Sequence, residues 1–307
     1  MGSKALHMKL LLLGSNGQLG CELQRSLSPL SKIFSCDHNT VDFNDLDKLK
    51  SVVRKYRPDV IINAAAYTNV DKAESDAENA FRVNFEAVNL LANEAAVLNS
   101  WLIHYSTDYI FDGTKNSSYK EEDKSNPKSV YGKSKLQGEL AIMDSKCKYL
   151  IFRTSWMYST YGHNFVNTVL RIAKEKSELR VVCDQIGAPT SAELVADVSS
   201  LCLSRIVQDD LSSKDISGVY HLTPTGKTSW YNFAKYVIIE TKKLGGVFLT
   251  DPENIIAINT SEYPLPAERP ENSILNSQKL CKTFNLYLPS WKIHADRAIK
   301  ELYLREL

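Results

Sequence analysis

The sequence predicts an α/β protein built on a doubly wound parallel sheet, with a smaller α/β subdomain in its C-terminal half. In the first half, short apolar segments alternate with segments of helical periodicity, which is the pattern of strands joined by crossover helices. Val60-Ile61-Ile62 is apolar at consecutive positions, as expected of a strand that is covered on both faces. The second half is less regular, and we expect the smaller subdomain there.

Five strands can be placed in the first half from apolar runs bounded by polar residues, glycine or proline. The predicted strands are 9–13, 32–36, 59–63, 101–106 and 148–153. The predicted helices are 17–28, 45–56, 75–99, 131–144, 165–176, 193–205, 229–243 and 291–303. We expect Ser75-Asp76-Ala77-Glu78 to form a capping box at the start of the longest of these helices.

The composition excludes several classes of function. Lys and Arg together number 37 and Asp and Glu number 36, so no charge excess points to nucleic acid or to a membrane surface as a partner. No apolar run approaches the ~18 residues needed to cross a bilayer. The six cysteines include no C-x-x-C pair, which predicts reduced thiols in a cytoplasmic protein. The six histidines lack the spacing of zinc ligands.

A glycine-rich turn links the first predicted strand to the first predicted helix. Glycines there let the backbone approach a pyrophosphate at the helix N-terminus, although a glycine turn without a ligand is the alternative. The context of strand, turn and helix predicts a Rossmann-type NAD(P)-binding domain, which we place at residues 8–155. A substrate-binding subdomain then occupies 156–307, with later segments returning to the sheet. The turn residues expected to contact the cofactor are Gly14, Asn16, Gly17, Gln18, Leu19 and Gly20.

Asp37 lies at the end of the second predicted strand, about 20 residues after the turn. A carboxylate there accepts hydrogen bonds from ribose hydroxyls and disfavours a 2′-phosphate, so it favours NADH over NADPH. An acidic strand end without a ligand is the alternative. The G-x-x-G-x-x-G spacing resembles the extended branch of the short-chain dehydrogenase/reductase superfamily. That resemblance implies cofactor contacts from Asp42, Phe43, Ala65, Ala66 and Tyr67.

Tyr131 and Lys135 are spaced i, i+4 on a predicted helix and therefore share one face, a turn apart. A phenol has a reference pKa near 10, so it is protonated at neutral pH and can donate to a developing alkoxide. A nearby ammonium stabilises the resulting phenolate. Thr107 follows the fourth predicted strand, at the sheet edge where doubly wound sheets bind ligands. A surface tyrosine with a solvated lysine is the alternative.

Six stretches of the chain carry a closer resemblance. They are 63–74 (NAAAYTNVDKAE), 104–109 (HYSTDY), 130–135 (VYGKSK), 152–156 (FRTSW), 184–190 (DQIGAPT) and 269–273 (RPENS). With them, the chain from residue 8 to about residue 302 resembles the dTDP-4-dehydrorhamnose reductase family. The resemblance implies reduction of the C4 keto group of dTDP-4-dehydro-β-L-rhamnose to dTDP-L-rhamnose. It also implies NADPH or NADH as cofactor, a dTDP-sugar as bound partner and a homodimer.

The same resemblance implies roles for individual residues. Tyr131 is expected to donate the proton, Lys135 to support it and Thr107 to hydrogen-bond the keto oxygen. The residues expected to bind the substrate are Thr107, Asp108, Trp156 and Arg269. Core packing is the alternative for Trp156. Separately from the resemblance, Arg153 and Arg269 are candidate partners of a diphosphate, because guanidinium groups suit phosphate oxygens. Pairing with a carboxylate is the alternative for both.

A magnesium site is also implied, because some members of the family bind Mg²⁺ through glutamates at a homodimer contact. Carboxylate oxygens suit this ion. The matching positions are Glu22, Glu193 and, by a weaker match, Glu301. Solvated helix carboxylates are the alternative.

The residue after Asp108 favours simple reduction. The related sugar-nucleotide 4,6-dehydratases follow the threonine with Asp-Glu, whereas this chain has Asp108-Tyr109 and lacks that acid–base pair for water elimination. Two alternatives stay open. One is a reductase for another 4-keto sugar nucleotide. The other is a non-catalytic binding subunit resembling the regulatory subunit of methionine adenosyltransferase, which departs from the reductases at Thr154-Ser155-Trp156, a stretch that this chain retains.

Overall fold

The computed structural model describes residues 8–208 and 216–305, and its centre is a six-stranded sheet. The strands of this sheet are β1 (Leu10–Leu13), β2 (Ile33–Cys36), β3 (Val60–Asn63), β4 (Trp101–Thr107), β5 (Lys148–Thr154) and β6 (Gly218–His221). Their spatial order is β6-β5-β4-β3-β1-β2, and every neighbouring pair is parallel. The predicted doubly wound α/β fold is confirmed.

Helices cover both faces of the sheet and build the rest of the molecule. They are α1 (Gln18–Leu27), α2 (Leu46–Tyr56), α3 (Val70–Ala73), α4 (Ala77–Phe81), α5 (Ala87–Leu98), α6 (Val130–Asp144), α7 (Phe165–Glu175), α8 (Ala192–Gln208), α9 (Trp230–Lys243), α10 (Gln278–Thr283) and α11 (Trp291–Arg305). In residues 8–208 and 216–305, none of the helices combines the length and the apolarity that crossing a membrane requires.

Each face of the sheet has its own apolar core. Because side chains alternate across a strand, Leu10 and Leu12 of β1 pack on one face and Leu11 and Leu13 on the other. The first face packs against α1 and α8, and the second against α2 and α5. Since both faces are covered, all four residues of β1 are fully buried.

The second half of the chain is divided between the sheet and a separate cluster. A third core joins α7, α9 and α11. Short strand pairs lie beside it: Met157–Tyr158 with Thr190–Ser191, Ile186–Gly187 with Thr228–Ser229, and Leu179–Val182 with Ile255–Ile258. By contrast, α8 packs on α1 and β6 joins β5, so segments after residue 155 lie in the sheet layers. The domain boundary near 155 stays a prediction.

The long helix predicted at 75–99 is interrupted. It consists of α4, a π-helical segment (Arg82–Glu86) and α5. The predicted capping box was wrong, because the Ser75 hydroxyl donates to the carbonyl of Lys72 and Asp76 occupies the N-cap position. The π-helical segment carries Asn84, whose side chain is buried against α6.

Candidate active site

A cleft of about 850 Å³ lies at the carboxyl ends of β1, β3, β4 and β5. The strand order reverses between β1 and β3, and such a reversal is where doubly wound sheets bind ligands. The predicted site residues that line the cleft are Gly14, Asn16, Gly17, Gln18, Leu19, Asp37, Asp42, Phe43, Ala65, Ala66, Tyr67, Thr107, Asp108, Tyr131, Lys135 and Trp156. The predicted residues outside its lining are Gly20, Arg269, Glu22, Glu193 and Glu301.

The turn after β1 requires glycine for steric reasons. Gly14 has a φ of +80°, and a Cβ on it would lie 2.6 Å from the backbone nitrogen of Ala65. A Cβ on Gly20 would collide with the carbonyl oxygen of Gly14, so Gly20 shapes the turn from outside the cleft. Gly17 is the N-cap of α1 and places no side chain over the helix N-terminus. The first N–H groups of α1 therefore face a cleft with room for a pyrophosphate.

Gln18 connects this turn to the second half of the chain. Its Oε1 accepts hydrogen bonds from Asn164 Nδ2 at 3.0 Å and from Ser159 Oγ at 3.2 Å. Its Nε2 donates to the carbonyl of His163 at 3.3 Å. The glycine turn is thus held against the loop that precedes α7.

Asp37 lies at the far end of the cleft, after β2. Its Oδ1 accepts hydrogen bonds from the hydroxyl of Thr40 at 2.7 Å and from the backbone N–H of Thr40 at 2.9 Å. These bonds hold the pKa of Asp37 below its usual value, so the side chain is a fixed carboxylate at neutral pH. Asp42 and Phe43 line the cleft beside it.

The loop after β3 is held by the π-helical segment. Asn84 accepts from the backbone N–H of Tyr67 at 2.9 Å, and donates to the carbonyl of Tyr67 and to the Ser134 hydroxyl, both at 3.0 Å. One buried amide therefore joins the Ala65–Tyr67 side of the cleft to α6. Sequence patterns missed this residue, because a π-helical turn has no periodic signature of its own.

Tyr131 stands in the first turn of α6, which Ser129 caps by accepting from the N–H of Gly132. Burial raises the pKa of Tyr131 to about 12, and a hydrogen bond with Thr107 works in the opposite direction. The ring of Tyr109 packs edge-on against Tyr131, with 5.6 Å between the ring centroids. The phenol is therefore protonated at neutral pH and oriented by its neighbours.

Lys135 lies one turn further along α6 and is 1% exposed. Its Nζ donates to the backbone carbonyl of Tyr105 at 2.7 Å and lies 3.3 Å from Nε2 of His104. Burial lowers the pKa of Lys135 to about 8, because desolvation disfavours the ammonium. The predicted Tyr/Lys pair thus shares one cleft.

Thr107 and Asp108 form the end of β4 beside Tyr131. The Thr107 hydroxyl donates to Asp108 Oδ1 at 3.1 Å and accepts from the N–H of Tyr109 at 3.2 Å. Asp108 is 3% exposed, and its Oδ2 has no hydrogen-bond partner in the described part of the chain. Burial raises the pKa of Asp108 to about 6, while the neighbouring Ser273 and Thr107 hydroxyls act in the opposite direction. An unpaired buried oxygen lining a cleft is free to accept a ligand hydroxyl.

Trp156 forms one wall of the cleft in a left-handed backbone conformation, with φ of +50°. Its ring stacks on Trp230 at 3.6 Å between centroids and 11° between planes. Gly187 lies so close that a Cβ there would be 2.5 Å from the indole. Non-glycine residues at positive φ are rare, and their strain concentrates at functional sites.

A second cavity of about 880 Å³ adjoins the cleft, because Tyr109 lines both. Arg269 lines this second cavity, where its guanidinium is paired with Asp71 at 2.6 and 2.9 Å. Arg153 lines neither cavity and is ion-paired with Glu139 at 2.7 Å in the interior. Of the residues that line this second cavity, the sequence analysis had predicted only Arg269 as a site residue. Other lining residues come from distant segments, including Phe165, Arg180, Gln185, Trp230 and Tyr263.

The three glutamates expected to bind Mg²⁺ do not form a site within one chain. Glu22 pairs with Arg25 at 2.8 Å, Glu193 pairs with Arg297 at 2.7 Å, and Glu301 pairs with Arg305. Across residues 8–208 and 216–305, no three His, Cys, Asp or Glu side chains are grouped as metal ligands. Arginine partners neutralise these carboxylates, so the donor set of a single chain does not fit the ion.

Comparison with known proteins places the chain in a family. The family RmlD substrate binding domain matches residues 8–304. The dTDP-4-dehydrorhamnose reductases of Escherichia coli K12 and Salmonella typhimurium LT2 are 44% and 45% identical over 300 residues, which cover 96% of this chain and 98% of each relative.

Solved structures agree with this result. The dTDP-4-dehydrorhamnose reductase ortholog of Clostridium acetobutylicum superposes with a TM-score of 0.86 at 33% identity, covering 98% of this chain and 100% of that one. The dTDP-4-dehydrorhamnose reductase of Bacillus anthracis, solved in complex with NADP, gives 0.83 at 32% identity, with 97% and 99% covered. The chain therefore belongs to the RmlD substrate binding domain family, alongside the dTDP-4-dehydrorhamnose reductases.

Proposed function

We propose that this protein is an NAD(P)H-dependent oxidoreductase that reduces the C4 keto group of dTDP-4-dehydro-β-L-rhamnose to give dTDP-L-rhamnose. The observation that carries the proposal is that Tyr131, Lys135 and Thr107 meet in the cleft that also contains the glycine turn. A general acid, its ammonium and a dinucleotide cradle in one cleft are the parts that a carbonyl reduction requires. The relatives' names supply the substrate.

The residues that line the cleft from Asp37 to Tyr131 would hold the cofactor. The N–H groups at the start of α1 bind its pyrophosphate, where the helix dipole favours negative charge. Gly14 and Gly20 support this role, because a Cβ on Gly14 would push the turn away from Ala65 and a Cβ on Gly20 would push it away from α1. When bound, the reduced nicotinamide supplies the hydride that adds to C4 of the sugar.

Tyr131 is the general acid. Its phenol transfers a proton to the oxygen that gains charge at C4, and Lys135 stabilises the phenolate that is left. The hydroxyl of Thr107 binds the same sugar oxygen and aligns it with Tyr131, since Thr107 and Tyr131 line the same part of the cleft. Positioned proton transfer of this kind contributes ~10²–10⁴-fold in rate.

The sugar lies between Asp108 and Trp156, and the nucleotide occupies the second cavity. Asp108 Oδ2 is buried without a partner and can accept a sugar hydroxyl. The Trp156 indole, fixed by Trp230, gives the sugar an apolar wall. Arg269 lies in the adjoining cavity, where a guanidinium suits a diphosphate, although it must then share its donors with Asp71.

Asp37 favours NADH over NADPH as the cofactor. Its fixed carboxylate accepts ribose hydroxyls and repels a 2′-phosphate. The side chain is only partly buried, however, so its repulsion of a phosphate is weakened by solvent screening. We therefore propose that both NADH and NADPH support turnover.

A homodimer in the cytoplasm is the assembly and location that we propose. The six cysteines are free thiols, as in a reducing compartment. Glu22 and Glu193 lie on a charged surface with Arg25, Asp197 and Arg297. A Mg²⁺ site there would need carboxylates from two copies. Sedimentation velocity with Mg²⁺ and with EDTA tests this assembly, and a monomer in both would contradict it.

The decisive experiment offers the purified protein several 4-keto sugar nucleotides with NADH or NADPH. We expect loss of absorbance at 340 nm with dTDP-4-dehydro-β-L-rhamnose and formation of dTDP-L-rhamnose. If another 4-keto sugar nucleotide is turned over faster, the proposed substrate is wrong but the proposed reaction type stands. Correctly folded protein that binds the cofactor and turns over none of them would support a non-catalytic binding subunit instead.

A further inference from the structure

A chain of buried hydrogen bonds runs from the loop after β3 to Lys135. The backbone N–H of Ala65 donates to Asn63 Oδ1 at 3.2 Å, and Asn63 Nδ2 lies 3.1 Å from His104 Nδ1. His104 Nε2 lies 3.3 Å from Lys135 Nζ. Asn63, His104 and Lys135 are each at most 1% exposed, so their side chains lie in the interior at the floor of the cleft.

This chain fixes the tautomer of His104. An amide nitrogen only donates, so Nδ1 of His104 accepts from Asn63. Flipping the Asn63 amide would set its NH₂ group against the Ala65 N–H, which holds the amide in place. Burial, and secondly the charge of Lys135, keeps the pKa of His104 well below its usual value, so the ring is neutral. Its single proton is therefore on Nε2, facing Lys135.

The Nε2–H group of His104 favours the neutral amine at Lys135. An ammonium has three donors and no lone pair, whereas a neutral amine can accept from Nε2–H and still donate to the Tyr105 carbonyl. His104 thus acts in the same direction as the desolvation of Lys135.

The other groups around Lys135 have little net effect on its protonation. On its own helix, Glu139 favours the ammonium, but Glu139 is ion-paired with Arg153 of β5. Tyr131 is neutral before the reaction, and Asn84 of the π-helical segment carries no charge. Of these groups, His104 of β4 is the one whose N–H faces Lys135 Nζ.

We propose that His104, held as its Nε2–H tautomer by Asn63, is a positioning residue that lets Lys135 reprotonate Tyr131 after each turnover. Lys135 and Tyr131 line the same cleft, so a water in the cleft carries the proton between them: one N–H bond of the Lys135 ammonium breaks and the O–H bond of Tyr131 forms. The neutral amine then accepts the Nε2–H hydrogen bond and recovers a proton from water in the cleft. This role rests on the proposed function, since it presumes that Tyr131 loses a proton in each cycle.

A first experiment tests the tautomer without any substrate. Long-range ¹H–¹⁵N spectra of the ¹⁵N-histidine-labelled protein distinguish Nε2–H from Nδ1–H, and the His104→Gln spectrum assigns the signal. We expect a neutral Nε2–H ring for His104 from pH 6 to pH 9. An Nδ1–H ring or an imidazolium in this range would overturn the inference, whatever the enzyme turns over.

A second experiment measures the pH profile of kcat in His104→Gln and His104→Leu. His104→Leu removes the N–H from Nζ, and His104→Gln can turn its side-chain carbonyl oxygen towards the ammonium, so both variants should raise the pKa of Lys135. Because activity needs the ammonium, the alkaline limb should move to higher pH by about one unit. His221→Gln is the matched control, since His221 is also fully buried but lines neither cavity.

The outcomes separate a positioning role from a structural one. Loss of stability in all three variants with an unshifted alkaline limb in either His104 variant would contradict the proposal. A shift in the His104 variants and none in His221→Gln would support it. Wild-type protein without turnover would instead refute the proposed function, and the tautomer would still be measured by the first experiment.

Discussion

Gly14→Ala tests the steric argument for the glycine turn. The backbone at Gly14 has a φ of +80°, which costs an alanine ~1–2 kcal/mol. The new Cβ would also lie 2.6 and 2.8 Å from Ala65 N and Cα and 2.9 Å from the carbonyl carbon of Ala64, all of them backbone atoms. Overpacking of this kind costs ~1–3 kcal/mol. We therefore expect Gly14→Ala to cost about 3 kcal/mol in total, from backbone strain and overpacking together.

This energy is divided between folding and binding. If the turn and the loop after β3 move apart, the cofactor contacts on both are lost. If the whole of this energy fell on binding, Kd would rise about 100-fold, so this is the upper limit of the increase. Fluorescence titration with NADH or NADPH measures the affinity, and urea unfolding measures the stability.

Two other glycines provide matched controls. Gly162→Ala adds a positive-φ alanine whose nearest atom is a flexible Gln18 carbon at 3.4 Å, so it isolates the backbone strain. Gly218→Ala adds a Cβ no closer than 3.8 Å to any atom at ordinary φ, so it should change little. Gly14→Ala with wild-type stability and wild-type Kd would refute the steric reasoning.

Three further predictions follow from buried and exposed charges. Asp37→Asn should raise the ratio of kcat/KM for NADPH over NADH about tenfold, because the charge that faces a 2′-phosphate is lost; an unchanged ratio in steady-state assays would contradict this. Burial raises the pKa of Asp108 to about 6, above its unfolded value, so this group lowers stability as the pH rises from about 4 through 6. Asp108→Asn should therefore be more stable than wild type by about 2 kcal/mol at pH 7.5 in urea, with the gain shrinking towards pH 4, and a pH-independent difference would count against the assignment. Glu139→Gln should cost about 3–5 kcal/mol in urea unfolding, because it leaves Arg153 buried without its partner. As a control, Glu175→Gln removes one partner of an exposed ion pair, so it should lower the free energy of unfolding by less than about 1 kcal/mol. Equal losses in the two variants would refute the burial argument.

The sequence predicted the sheet because its signals are local. All five predicted strands are present within one residue at each end, since apolar runs such as Leu10–Leu13 mark strands buried on both faces. The glycine turn, Tyr131 and Lys135 were found for the same reason: their chemistry depends on spacing within a single segment.

Features that depend on contacts between distant segments were missed. The stacking of Trp156 on Trp230 joins residues far apart in the chain, and no periodicity reports it. The second cavity likewise combines α7, α9 and the loop before Arg269. The capping box at Ser75 failed because α3 and its turn end just before it, and Ser75 bonds back to that turn.

The central claim is that Tyr131 donates the proton that completes a ketone reduction. The most direct test is single-turnover reduction of the 4-keto sugar by Tyr131→Phe with saturating NADH or NADPH. We expect the rate to fall by about 100-fold or more while cofactor Kd changes little, and Tyr220→Phe, a buried tyrosine outside both cavities, to react normally. A near-normal rate in Tyr131→Phe would contradict the account.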